Sequence, residues 1–125
     1  MFDWRRPHNL GVKDGRLAPC RRTPNCVSSQ ADPGDREHYI APLKGNLAAL
    51  RKAVESLPRT TIISSTSNYL YAEFRSKLLG FVDDVEFFYD GSALQVRSAS
   101  RLGRRDFHVN RKRVERLREM IRPKP

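Results

Sequence analysis

Cysteine and histidine are scarce in this chain of 125 residues: there are two cysteines and three histidines. Cys20 and Cys26 lie six positions apart, and His8, His38 and His108 are scattered along the chain. Neither a CxxC nor an HxxxH spacing occurs, so a structural zinc site lacks its motif and no metal is expected. Long apolar runs are also missing. No stretch approaches the ~18 residues of a membrane-spanning helix. Residues 1–22 carry charges throughout and no apolar leader segment, so the expectation is a cytoplasmic chain with no transmembrane segment. There is no phosphate-binding glycine loop, no dinucleotide fingerprint and no nucleophile elbow. No cofactor is therefore expected, and an enzyme of unknown reaction remains only an alternative. Internal repeats and low-complexity segments are absent as well.

What the chain has in excess is positive charge, +10 at neutral pH. The excess is localised. Residues 37–100 balance seven Lys/Arg against seven Asp/Glu, whereas residues 101–125 carry ten against three. A localised excess suits an anionic partner better than general solubility, although a solvated basic helix would look the same.

Length and the 38% of hydrophobic residues suit one modest core. Residues 1–37 are rich in Pro, Gly, Asp, Asn and Arg and show no period, which predicts an irregular arm carrying the cysteine pair. Its apolar residues, among them Trp4 and Leu10, are expected to dock on the body. Residues 38–125 read as an α+β domain. Asn46 caps a first helix with Leu47, Leu50, Val54 and Leu57 on one stripe, and Pro58 ends it. Tyr39 to Leu43 is a candidate edge strand, and Thr60–Ser64, Tyr69–Ser76, Phe81–Tyr89 and Ala93–Arg101 follow as strands, with Asp90-Gly91 as a hairpin signal. A second helix carries Val114, Leu117 and Met120 or Ile121 before Arg122-Pro123. The expected fold is an antiparallel sheet of four to five strands with both amphipathic helices packed on one face. The other face, with Tyr69, Tyr71, Glu73, Arg75, Asp84, Glu86, Phe88, Gln95 and Arg97, is expected to be a solvated lattice of weak ion pairs.

The segment from Leu10 to Leu17 running into Cys20, then Pro24-Asn25-Cys26-Val27-Ser28-Ser29, resembles the bacterial and plant-plastid family called domain of unknown function 1499. So do Phe81 to Glu86, and Arg97-Ser98-Ala99-Ser100-Arg101 with Gly103, Asp106, Asn110 and Arg113. The resemblance spans about residues 10–121. It brings no assigned activity and no catalytic residues. Arg21-Arg22-Thr23 departs from the small polar or proline-containing stretch of many relatives, and many relatives carry an export signal or a membrane anchor.

The candidate sites follow from residue type and spacing. Cys20 and Cys26 would close a small disulfide loop in an oxidising compartment and be thiols in the cytosol. If Asn110 caps the last helix, Arg111, Lys112 and Arg113 occupy its first turn, where the helix dipole disfavours cations. Broken local rules mark candidate sites, and a helix N-terminus surrounded by Arg97, Arg101, Arg104, Arg105 and Arg111 suits a phosphate, sulfate or carboxylate. Ser98, Ser100 and Asn110 would add polar groups. The competing account has Asp83, Asp84 and Asp106 neutralising the cluster, with Asp106 starting the helix earlier. The expectation is a small binding or accessory module for an anion or an acidic protein surface. Nucleic acid stacking on Tyr69, Tyr71 and Phe88 is the less favoured alternative.

Overall fold

Alternation of apolar and polar residues along each strand, and a 3.6-residue apolar period along each helix, divide this chain into two layers. A computed structural model describes residues 5–103 and 105–123. Its elements are β1 (Cys26–Ser28), α1 (Leu47–Glu55), β2 (Thr60–Ser65), β3 (Tyr69–Arg75), β4 (Val82–Tyr89), β5 (Leu94–Ser100) and α2 (Val109–Ile121). The strands form one antiparallel sheet in the order β1-β5-β4-β3-β2. Both helices pack on one face, making an α+β fold.

The core is the interface of these layers. Leu50 and Val54 of α1 and Val114, Leu117 and Ile121 of α2 meet Leu70, Ala72, Phe74, Val85, Phe87, Leu94 and Val96. Each large apolar side chain buried this way contributes about 1.5–3 kcal/mol. Asn46 caps α1 as its sequence predicts, its carboxamide oxygen accepting from Ala49 N–H at 2.7 Å. At the Asp90-Gly91 hairpin, Gly91 takes φ +100°, and the Asp90 carboxylate accepts from the N–H groups of Ser92 and Ala93.

Three expectations are corrected. First, Tyr39 to Leu43 is not a strand. It makes only isolated bridges, Tyr39 to Ser28 and Leu43 to Leu94, because Pro42 has no N–H to extend a ladder. The fifth strand comes instead from the arm, where Val27 enters the core opposite Ser98. Second, Asn110 is not the cap of α2. The helix begins at Val109, and His108 stands before it in the left-handed region at φ 65°. The Asp106 carboxylate accepts from the N–H groups of His108 and Asn110, at 3.0 and 3.1 Å, so the helix starts earlier than an Asn110 cap would place it. Third, the polar face of the sheet is not solvated. The arm crosses it, and Tyr71, Glu73, Asp84, Glu86 and Arg97 are all buried.

The arm is held by directional bonds more than by apolar mass. Gly11 N–H donates to Glu86 at 2.6 Å, Arg6 donates to Glu73 at 2.9 Å, and Leu17 N–H donates to the Gln30 side chain at 2.8 Å. Leu17 is buried and Leu10 half-buried, while Trp4 lies outside the described residues.

Candidate functional site

Residues of odd number in β5 point toward the arm and those of even number toward the helices, which separates the basic cluster that the sequence groups together. Ser98 and Asn110 lie on the helix side, fully buried. Ser98 Oγ donates to Asn110 Oδ1 at 2.6 Å, and the Asn110 amide nitrogen donates to Ser100 Oγ, to Asp106 and to the Asn25 carbonyl. Arg113 bonds Asp83 at 2.8 Å and lies 4.8 Å from the Phe74 ring centroid. Arg111 donates to the carbonyls of Arg36 and Glu37. Arg105 is exposed beside Arg22, Thr23 and Glu37, and Arg104 lies outside the described residues. Asp106 occupies the N–H groups of the helix start with its own carboxylate.

Arg97 and Arg101, on the arm side, share a cleft of about 630 Å³ between arm and sheet. The arm supplies Arg5, Arg6, His8 and Arg21 to its walls, and the sheet supplies Asp84, Ala99 and Ser100. Cys26 also lines it, opposite Ala99 and disulfide-bonded to Cys20. That bond holds Arg21 in a short loop above the sheet.

The two arginines are in different states. Arg101 donates from Nε to Asp84 at 2.8 Å and from Nη2 to Asp84 and Glu73 at 2.8 and 2.6 Å. Tyr71 also donates its hydroxyl proton to Asp84. The hydrogen bond to Asp84 is the largest influence holding the Arg101 guanidinium above its ordinary value, ahead of the opposing effect of burial. Glu73 sits lower than usual. Burial pushes it up, but the hydrogen bonds from Arg6 and Arg101 outweigh that.

Arg97 is equally buried, its side chain 5% exposed, yet Glu86 stands 4.0 Å away and the Pro19 carbonyl accepts only a long 3.4 Å bond. Arg97 Nε and Glu86 Oε1 have no hydrogen-bond partner among the described residues. Burial pushes Arg97 below its ordinary value; Glu86 and Asp84 oppose that and the nearby Arg21 adds to it. Burial likewise raises Glu86, against the bonds from the Tyr69 hydroxyl and Gly11 N–H.

Buried polar groups are normally paired, and a cation that is both desolvated and under-bonded is costly. Here such a cation lines a cleft that also holds other arginines. The arrangement can accept an oxyanion: Arg97 Nε is a donor without a partner among the described residues, and exposed Arg21 adds positive charge at the cleft wall.

Sequence reasoning named Arg97, Ser100 and Arg101 but missed the arm's contribution of Arg5, Arg6, His8 and Arg21. The signal for the arm lay in the mismatch between a charged sheet face and the directional bonds needed to bury it. Asp35, Glu37 and His38 also converge, with ligand atoms within 4.8 Å. However, both His38 ring nitrogens are engaged, with Asp35 at 2.8 Å and the Thr23 carbonyl at 2.9 Å, so the ring braces the disulfide loop.

Fold and cleft together define a small α+β protein whose N-terminal arm covers a charged sheet face. The chain belongs to the family described as protein of unknown function (DUF1499), whose model matches residues 16–121. No curated protein and no solved structure matches it.

Proposed function

We propose that this protein is a small, non-enzymatic binding module that takes an anion in the cleft between arm and sheet. The observation that carries this reading is Arg97: a buried guanidinium whose Nε lacks a partner among the described residues, facing a cleft walled by further arginines. An oxyanion or carboxylate supplies the acceptors that the protein leaves out, and binding in a desolvated setting strengthens each charge-assisted bond. Arg101 acts differently, because its donors already serve Asp84 and Glu73, and it contributes charge and a rigid wall.

Stacking of nucleic acid on the sheet has less support, since Tyr71 and Phe88 are buried and the arm crosses the face that would present them. No described helix is long and apolar enough to cross a membrane. The Cys20–Cys26 bond persists in oxidising surroundings, so the reading favours such a compartment over the cytoplasm expected from the sequence.

Thermal unfolding in increasing inorganic phosphate or sulfate tests the reading. The wild-type midpoint is expected to rise with ligand as mass action requires, and Arg97→Met to remove the rise while still folding. An equal rise in both proteins, or none in the wild type at millimolar anion, overturns it.

A further inference from the structure

At one end of the sheet three connections leave side by side. β3 ends at Arg75 and β4 begins at Val82, its register partner. β5 ends at Ser100, opposite Asp83, and Arg101 N–H then bonds the Val82 carbonyl at 3.3 Å. The α1–β2 connection joins them through the Arg59 carbonyl, which accepts from Arg75 N–H at 2.9 Å.

The apolar residues at this end are turned outward. Leu78 and Leu79 at the β3–β4 tip are 90% and 62% exposed, and Phe107 in the β5–α2 connection is 81% exposed. The leucine tip is a built loop. Ser76 N–H donates to the Phe81 carbonyl at 2.8 Å, Phe81 N–H to Ser76 Oγ at 2.9 Å, and Gly80 N–H to the Ser76 carbonyl at 3.2 Å. Gly80 supplies the φ of +67° that this closure requires. The loop, closed by these three hydrogen bonds, therefore holds two leucines in water, and clustered exposed apolar residues of this kind mark an interaction site.

The charges beside these tips are mostly positive, with Glu37 beside Arg105 as an exposed carboxylate. Arg59, Arg75, Lys77 and Arg105 are exposed. The carboxylates of Asp83 and Asp106 are spoken for, the first by Arg113 and the second by the start of α2. Protruding apolar tips flanked by cations match the layering of an anionic bilayer surface, where apolar side chains enter the acyl boundary and Lys/Arg remain among the headgroups. A partner protein groove would need to accommodate two separate convex tips, whereas a lipid surface accepts both without prior shape.

We infer that this protein docks on anionic membrane surfaces through the Leu78-Leu79 tip and Phe107. The contact is peripheral and independent of the arginine cleft.

Cosedimentation with vesicles of phosphatidylcholine alone, or with about one-third phosphatidylserine, tests the inference. The wild type is expected to bind the anionic vesicles at least about tenfold better than the neutral ones, with binding weakened by salt. The Leu78→Ser/Leu79→Ser double variant and Phe107→Ser should each lose about tenfold in binding with an unchanged unfolding midpoint, because the replaced side chains touch solvent. Arg97→Met should bind vesicles as the wild type does, which separates this surface from the cleft. Absence of wild-type binding, or tip variants that bind as tightly as wild type, overturns the inference. So does self-association that the double variant abolishes in a protein that ignores vesicles, since the tip then serves a second copy of the chain.

Discussion

Arg97 on β5 and Arg101, the residue just past its end, face the same arm-covered surface with side chains buried to the same degree, and live in opposite circumstances. Arg101 is bonded to two carboxylates at 2.6–2.8 Å. Arg97 stands 4.0 Å from the Glu86 carboxylate and keeps an Nε unpartnered among the described residues. The difference shows that burial of a charge does not by itself say what the charge is for. A cation whose donors are used up inside the fold is structural, while one whose donors are left over beside a cleft is available to a ligand. Neighbouring backbone geometry explains the split. Arg101 lies where β3 and β4 bring Glu73 and Asp84 into register as partners. Arg97 pairs in register with Glu86, whose Oε2 is already held by Tyr69 and Gly11.

The sharpest way to break the comparison is to remove each guanidinium. Arg101→Met leaves Asp84 and much of Glu73 buried without their cation, and should cost about 3–5 kcal/mol in urea denaturation. Adding Asp84→Asn to that variant should recover part of the loss, because the orphaned charge then disappears. Arg97→Met removes a cation that is desolvated and poorly bonded, so its cost should stay below about 1 kcal/mol. Equal losses in the two variants would show that Arg97 is as structural as Arg101.

A smaller effect is expected from Cys20→Ser/Cys26→Ser. The bond closes a loop with a sequence separation of six, short enough that its removal should cost about 2 kcal/mol. The loop carries Arg21 and adjoins Pro19, the acceptor for Arg97, whereas Arg101 takes its partners from β3 and β4. The variant should therefore weaken phosphate-induced stabilisation more than it disturbs the Arg101 corner. Intact mass after alkylation without reductant checks the bond itself: two alkylated thiols in protein kept under oxidising conditions would remove it.

Much of the sheet and both helices were legible because strand alternation and helical period are local signals. Leu70, Ala72 and Phe74 against Tyr71 and Glu73 specify one inward face from sequence alone. What was not legible depended on partners distant in sequence. Gly11 reaching Glu86 and Arg6 reaching Glu73 span 75 and 67 residues, and nothing local in the arm announces them. For the same reason a face read as solvated is buried, and ion pairs read as weak surface contacts become a buried network. Asn110 was misplaced as a cap because Asn is a good capping residue by type. His108 stands at that position instead, and Asp106, four residues before Asn110, accepts from the helix start because two consecutive left-handed residues, Phe107 and His108, turn its carboxylate onto it. The arginine-rich stretch carried the clue to a basic site, but strand parity sent half of it to the other side of the sheet.

The finest test of the comparison is pH, where the two glutamates facing these arginines should act with opposite sign. Glu73 has a folded-state pKa below its ordinary value of 4.5, so the stability it contributes is fully present above that value and is lost as pH falls through the folded pKa. Glu86 has a folded-state pKa above 4.5, raised chiefly by burial. On acidification it takes its proton in the folded protein before it does so in the unfolded chain. Its contribution therefore rises as pH falls through the folded pKa, and levels off below the unfolded value. Urea denaturation across the acid range should show Glu86→Gln removing a gain on the upper side of 4.5, and Glu73→Gln removing a loss on the lower side. Phosphate should lessen the Arg97 imbalance and so shift only the Glu86 side of the profile. A ligand effect on the Glu73 side instead would place the anion at Arg101 and reverse the roles assigned to the two arginines.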